Sequence, residues 1–266
     1  MSTLSEEALG LFAAGRRDEA RKAAGTALQQ NADDWHAHYV LGLCLRFEQD
    51  FSAACVSLDR ANNLAPKHPF VLLALAIARQ LKGDYPAAID AIRIALEVDP
   101  DYAVGFNTLA MTQKLMGAYD KAAHNYDQGT RALARSIARS LVNSEANPRL
   151  PHWDSRNSLW TKYAIFGGAY LAAEADVDSL AFPTGEADAI EALERQFSGL
   201  YWNDRLNDQR KSTRHFLPNF FSTFSARLRE DHLYATMIGN RSTVLRLMGR
   251  PEEAEQHRQE AEDFSQ

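Results

Sequence analysis

Cysteine is scarce. Cys44 and Cys55 are the only two among 266 residues, so no disulfide framework or paired-cysteine zinc site can hold this chain together. Both fall where the local pattern calls for small buried side chains. That reads as free core thiols in a reducing cytosol, with a single disulfide as the alternative. Long apolar runs are also missing. The longest, Phe70 to Ala78, falls far short of the roughly 20 residues needed to cross a bilayer. The first residues, Met1 to Glu7, are polar and acidic, without the basic start or the apolar stretch of a secretory signal. The expectation is therefore a cytoplasmic protein with no membrane partner. A net charge of −6 speaks against nucleic acid as a partner. No Gly-x-Ser-x-Gly elbow, His-Glu-x-x-His pair or phosphate loop occurs. The reading is thus of a non-enzyme with no local catalytic residue, no metal ligand set and no cofactor.

What is present is a repeat. Ala20, Ala54, Ala88 and Ala122 stand 34 residues apart, and other columns fall into register around them. These are Ala27, Ala61, Ala95 and Gly129; Gly15, Gln49, Gly83 and Gly117; and Phe51, Tyr85 and Tyr119. An earlier set reads Leu41-Gly42, Leu75-Ala76 and Leu109-Ala110, while Pro66 and Pro100 close their blocks. Within each block apolar residues recur three and four apart, the period of a helix with one buried face. A turn such as Lys82-Gly83-Asp84 splits the block into two helices. Small residues let two helix backbones approach closely, and proline ends the second helix because it lacks an amide proton. A period of this length with small residues at fixed points is the mark of stacked helical hairpins.

The pattern of Leu-Gly or Leu-Ala, then Gly-x-aromatic-x-x-Ala, then Ala and Pro resembles the tetratricopeptide repeat (TPR) family over about half of the chain. The resemblance implies an all-α fold: a right-handed α-solenoid of helical hairpins, whose first helices line a concave groove for peptides or protein segments. On this reading residues 1–34 are a degenerate capping repeat and 35–130 hold three repeats. Residues 131–230 form an irregular helical segment, and 231–266 a C-terminal repeat-like hairpin acting as a cap.

The concave stripe is expected to contain His36, Tyr39, Leu43 and Arg46, then Phe70, Leu73, Ile77 and Gln80, then Val104, Asn107, Met111 and Lys114. The chaperone-binding members of the family grip a terminal carboxylate with lysine, arginine and asparagine. Here Arg46, Asn107 and Lys114 are of suitable type but do not form that set. The apolar members suit an amphipathic helix read through anchors one turn apart. The function this implies is a protein-protein interaction module, such as an adaptor, scaffold or assembly chaperone. Filling of the groove by the chain's own C-terminal half and pairing into a homodimer are alternatives.

The second half is less regular. The second helix of the third repeat reads as unbroken from Tyr119 to about Asn147, with Arg131, Arg135 and Arg139 four apart on one face. That row reads as a solvated helix face, the alternative being contact with an acidic partner or phosphates. His152-x-Asp154 with His215 has the residue types of the iron site of a 2-oxoglutarate oxygenase. That site needs a scaffold of many strands, whereas 156–175 and 186–198 read as helices. Residues 200–224 mix aromatic with basic side chains, packed as a helix face through Phe216, Phe220 and Phe224. If the chain is instead an enzyme or small-ligand sensor carried on a repeat scaffold, its site lies within 150–235. Tyr201, Trp202, Arg214 and His215 are then its candidate residues for a flat or anionic ligand. Met248-Gly249-Arg250-Pro251 restores the repeat pattern, with Ala254 in the small column.

Overall fold

The computed structural model describes residues 3–143, 226–228 and 230–263. Every element among them is a helix: α1 (Thr3–Ala13), α2 (Arg17–Gln30), α3 (Trp35–Phe47), α4 (Phe51–Leu64), α5 (Pro69–Lys82), α6 (Tyr85–Val98), α7 (Ala103–Leu115), α8 (Tyr119–Asn143), α9 (His232–Leu247) and α10 (Pro251–Asp263). Two compact units divide the chain, Met1–Asn125 and Tyr126–Gln266.

In the first unit each helix packs on the next, so that hairpins α1–α2, α3–α4 and α5–α6 stack in chain order. The first helices α1, α3, α5 and α7 also touch one another in series. The small columns explain this. Ala20, Ala54, Ala88 and Ala122 are all 0% exposed, each where one helix of a hairpin lies against another. At Gly42 the approach is tightest, for a Cβ there would sit 2.5 Å from Leu58 Cγ and 3.3 Å from the carbonyl oxygen of Ala54. Leu72, Ala76, Ala88 and Ile92 share one core cluster, while Leu45, Ala54, Leu58 and Leu75 share another.

The turns inside the hairpins follow one scheme. At Gly83 the backbone enters the left-handed region with φ 90°, and its amide donates to the Gln80 carbonyl (3.0 Å) while that of Asp84 donates to Arg79 (2.9 Å). These bonds satisfy the last carbonyls of α5. The Asp84 carboxylate then accepts from the Ala87 amide and starts α6, as Asp50 does for α4 through Ala53. In the α3–α4 hairpin the same left-handed position is held by Gln49, with φ 64°. The reading of two helices per block, split at this column, is therefore realised by one turn geometry.

α8 begins in the first unit at Tyr119 and runs unbroken into the second, through Asn143, as its sequence implies. Of the arginine row expected to be solvated, Arg131 and Arg135 are partly exposed, and the Arg139 side chain lies outside the described residues. The Arg131 side chain is 16% exposed and its Nε donates to the Asp127 carboxylate at 2.9 Å, beside the buried Ala132, Leu133 and Ala134. α9 begins at Asp231, whose carboxylate caps the amides of Leu233 and Tyr234. α9 then turns through Gly249 into α10, where Ala254 is again 0% exposed. Cys44 and Cys55 are both free and buried, and burial raises their thiols, that of Cys44 to about 11. No described helix is long and apolar enough to cross a membrane.

Candidate functional site

The side chains expected to line the groove lie along α3, α5 and α7. Because the helices repeat in register, equivalent positions form rows across the unit. The outermost of the expected groove residues is Phe70, 59% exposed. His36, Tyr39, Arg46, Leu73, Ile77, Met111 and Lys114 are partly exposed, and Val104 is exposed at the start of α7. Leu43, Gln80 and Asn107 are buried. Leu43 belongs to the α3–α4–α5 core cluster, and Gln80 Nε2 donates to Thr112 Oγ1 at 2.8 Å, tying α5 to α7. The Asn107 carboxamide oxygen is buried without a hydrogen-bond donor.

At the N-terminal ends of these helices the rings of successive repeats touch. Trp35 stacks on His36 with centroids 3.6 Å apart and meets His68 at 4.7 Å. His68 meets Phe70 at 5.7 Å, and Phe70 meets Tyr102 edge-on at 6.3 Å. Asp34 anchors this ladder. It is almost fully buried, caps the amides of His36 and Ala37, and accepts from Ser5 Oγ of α1 at 2.5 Å.

The ladder lies in a partly desolvated setting. Burial lowers the His36 pKa and outweighs the opposing pull of Asp34, with Nδ1 3.6 Å from its carboxylate. Burial raises Tyr102 to about 12, with the Tyr39 hydroxyl and Asp99 adding to it, and raises Tyr39 against the pull of Arg46. Burial likewise lowers Arg46, which Tyr39 partly offsets. The stripe therefore combines apolar surface with phenols, imidazoles and a half-buried guanidinium, and none of the expected groove residues is acidic. Such a surface can bury apolar side chains and offer donors between them. It holds no grouping of His, Cys, Asp or Glu fit for a metal ion among the described residues.

A further row was not anticipated from the sequence. Phe47, Leu81 and Leu115, 34 residues apart at the C-terminal ends of α3, α5 and α7, are 46%, 49% and 54% exposed. The period that revealed the alanines would have revealed these as well. An apolar residue at a helix end, however, reads as core until its exposure is known. The Arg17 guanidinium lies 3.9 Å from the Phe47 ring centroid and that of Arg46 lies 5.1 Å from it, while Phe12 packs 5.7 Å away. Tyr201, Trp202, Arg214 and His215, with the His152-x-Asp154 pair, lie outside the described residues.

No family model matches the chain. A curated relative, the BBSome complex member BBS4 of Bos taurus, is 29% identical over 119 residues. That match spans 45% of this chain and only 23% of the relative. Among solved structures, MamA is 19% identical over 74% of this chain and 97% of its own, with a TM-score of 0.43. TTC0263, a thermophilic TPR protein of Thermus thermophilus, is 18% identical over 79% and 96%, with a TM-score of 0.45. PilF of Pseudomonas aeruginosa is 14% identical over 88% and 94%, with a TM-score of 0.46. The class is set by the 34-residue period, the fully buried alanine columns and the hairpins packed in chain order. The chain is a helical-repeat protein. Its hairpins resemble those of tetratricopeptide repeats in period and in their buried alanine columns.

Proposed function

We propose that the first-helix face of residues 35–115 binds an apolar or amphipathic helical segment of another protein. The chain would then serve as an adaptor, scaffold or assembly chaperone rather than as an enzyme. The observation that carries this reading is Phe70. It is 59% exposed yet held between the rings of His68 and Tyr102, so its apolar surface is presented in a fixed place. Leu73, Ile77 and Met111 continue the apolar surface along α5 and α7. A preset aromatic anchor flanked by aliphatic side chains limits the ordering entropy that a partner's binding must overcome. Methionine adds a surface able to adapt.

The test is capture of partners from native cell extract by the tagged protein in low and high salt, beside Phe70→Glu and Met111→Glu. The expected outcome is a protein retained by the wild type and lost from both variants with helicity unchanged. Equal retention by all three contradicts the assignment of this face. Doubling of mass by light scattering, abolished by Phe70→Glu, would make the partner a second copy of the chain.

A further inference from the structure

We infer that the row of Phe47, Leu81 and Leu115 is a docking strip for an acidic amphipathic helix. The inference rests on the reading that the first-helix face binds a partner segment, and adds where the segment's apolar side lies and what charge it carries. Three large apolar side chains, each about half exposed, recur at one register in three successive repeats. Leu247 stands at the same register in α9 of the second unit, two residues before its turn glycine, and is 56% exposed. Isolated exposed leucines are ordinary, but exposure kept at one structural position through successive repeats makes a continuous line.

The charge beside this line is uneven. Arg17 and Arg46 bracket the Phe47 ring and Lys82 follows Leu81, and none of the three is in an ion pair with a described carboxylate. Three of the acids at the same end are engaged. Glu48 pairs with Arg21 at 2.9 Å, while Asp50 and Asp84 accept from the amides that open α4 and α6. In a chain of net charge −6 an apolar row edged by such cations selects a segment bearing carboxylates beside its apolar residues. Arginine over an aromatic ring is already placed for such a carboxylate.

The backbone chooses a helix over an extended strand. The last-turn carbonyls of Arg46, Gln80 and Lys114 already accept from the amides of Gln49, Gly83 and Gly117. Those of Leu45, Arg79 and Gln113 accept from Asp50, Asp84 and Ala118. With these carbonyls engaged inside the turns, the edge presents no regular row of acceptors along which a strand could pair. A helix satisfies its own amides. Packed helices lie about 8–10 Å apart, close to the rise of about seven helical residues, so one apolar anchor per heptad matches one anchor per repeat.

The experiment uses the full chain and two labelled peptides of about three heptads. Each has leucine at one position per heptad, with glutamate beside the leucines in one and lysine in the other. Binding is read by fluorescence anisotropy. The acidic peptide is expected to bind at least about tenfold more tightly, with the preference shrinking in high salt. Leu81→Ser with Leu115→Ser is expected to remove that binding. Arg46→Gln is expected to reduce the preference for the acidic peptide while leaving the helical spectrum unchanged. Equal binding of the two peptides, tighter binding of the lysine peptide, no binding of either, or unaltered binding by the serine variant overturns the inference. Loss of binding in Phe70→Glu with full binding in the serine variant overturns the strip but leaves the proposed face standing. Loss of partner capture by the wild type itself would instead remove that reading.

Discussion

The two ends of the first helices are made from similar residues and put to different uses. At the N-terminal ends, Trp35, His36, His68, Phe70 and Tyr102 touch ring to ring across three repeats. These contacts tie the repeats together, while Phe70 in the middle of the ladder also keeps 59% of its surface exposed. At the C-terminal ends, Phe47 leans on Phe12 and two arginines, while Leu81 and Leu115 remain about half exposed. Apolar area that meets its neighbour stabilises the fold. Apolar area that stays in water gives little to the fold and is available to a partner. The ring contacts of the first end should therefore govern stability, whereas the exposed face of Phe70 and the second end should be almost silent until something binds.

The sharpest way to break this contrast is Trp35→Ala, which removes the hub of the ladder and should cost about 2–3 kcal/mol in urea denaturation. A cost comparable to that of a surface substitution would mean that the rings merely lie near one another. Asp34→Ala comes next. It removes the cap of α3 and leaves the Ser5 hydroxyl without its buried acceptor, for an expected loss of about 1–2 kcal/mol by the same measurement. At the opposite end the sign reverses. Gln49 occupies a left-handed turn position that Gly83 and Gly117 fill elsewhere, so Gln49→Gly should raise stability by about 0.5–1 kcal/mol.

The pH response should also belong to the N-terminal ends. Burial lowers the His36 pKa from its ordinary value of 6.5, so as pH falls the unfolded chain takes up the proton first. Stability held above that value is then lost as pH drops through the lowered one, and the slope should flatten in His36→Gln. Denaturation midpoints at a series of pH values, compared between the two chains, check this. Smallest of all is Leu81→Ser, which should change stability by less than about 0.5 kcal/mol while removing partner binding.

The sequence made the fold legible where a requirement recurs within each repeat. The alanine columns, the turn at Gly83 and the return of the pattern at Gly249 and Ala254 are local needs met by a single residue type. The ring ladder was not legible, because Trp35, His68, Phe70 and Tyr102 do not share one column and meet only when repeats stack. Nor could spacing tell that Gln80 and Asn107 would be buried while Phe70 would stand out. A stripe on a helical wheel fixes direction, whereas burial depends on what the neighbouring repeat places beside it. Arg131 illustrates the same limit, since it looks solvated on the helix alone and yet its side chain is 16% exposed.

The central claim is that partners meet the first helices and not the second. The measurement that tests it most directly is site-specific photo-crosslinking in the native cell, with the reactive side chain placed in turn at Phe70, Leu81 and Val56. Val56 is the control, an apolar residue of the second helix α4 that is 71% exposed. The account predicts that one set of adducts forms from positions 70 and 81 and that position 56 yields none. Adducts from position 56 as strong as those from position 70 would contradict it, as would their absence at both 70 and 81.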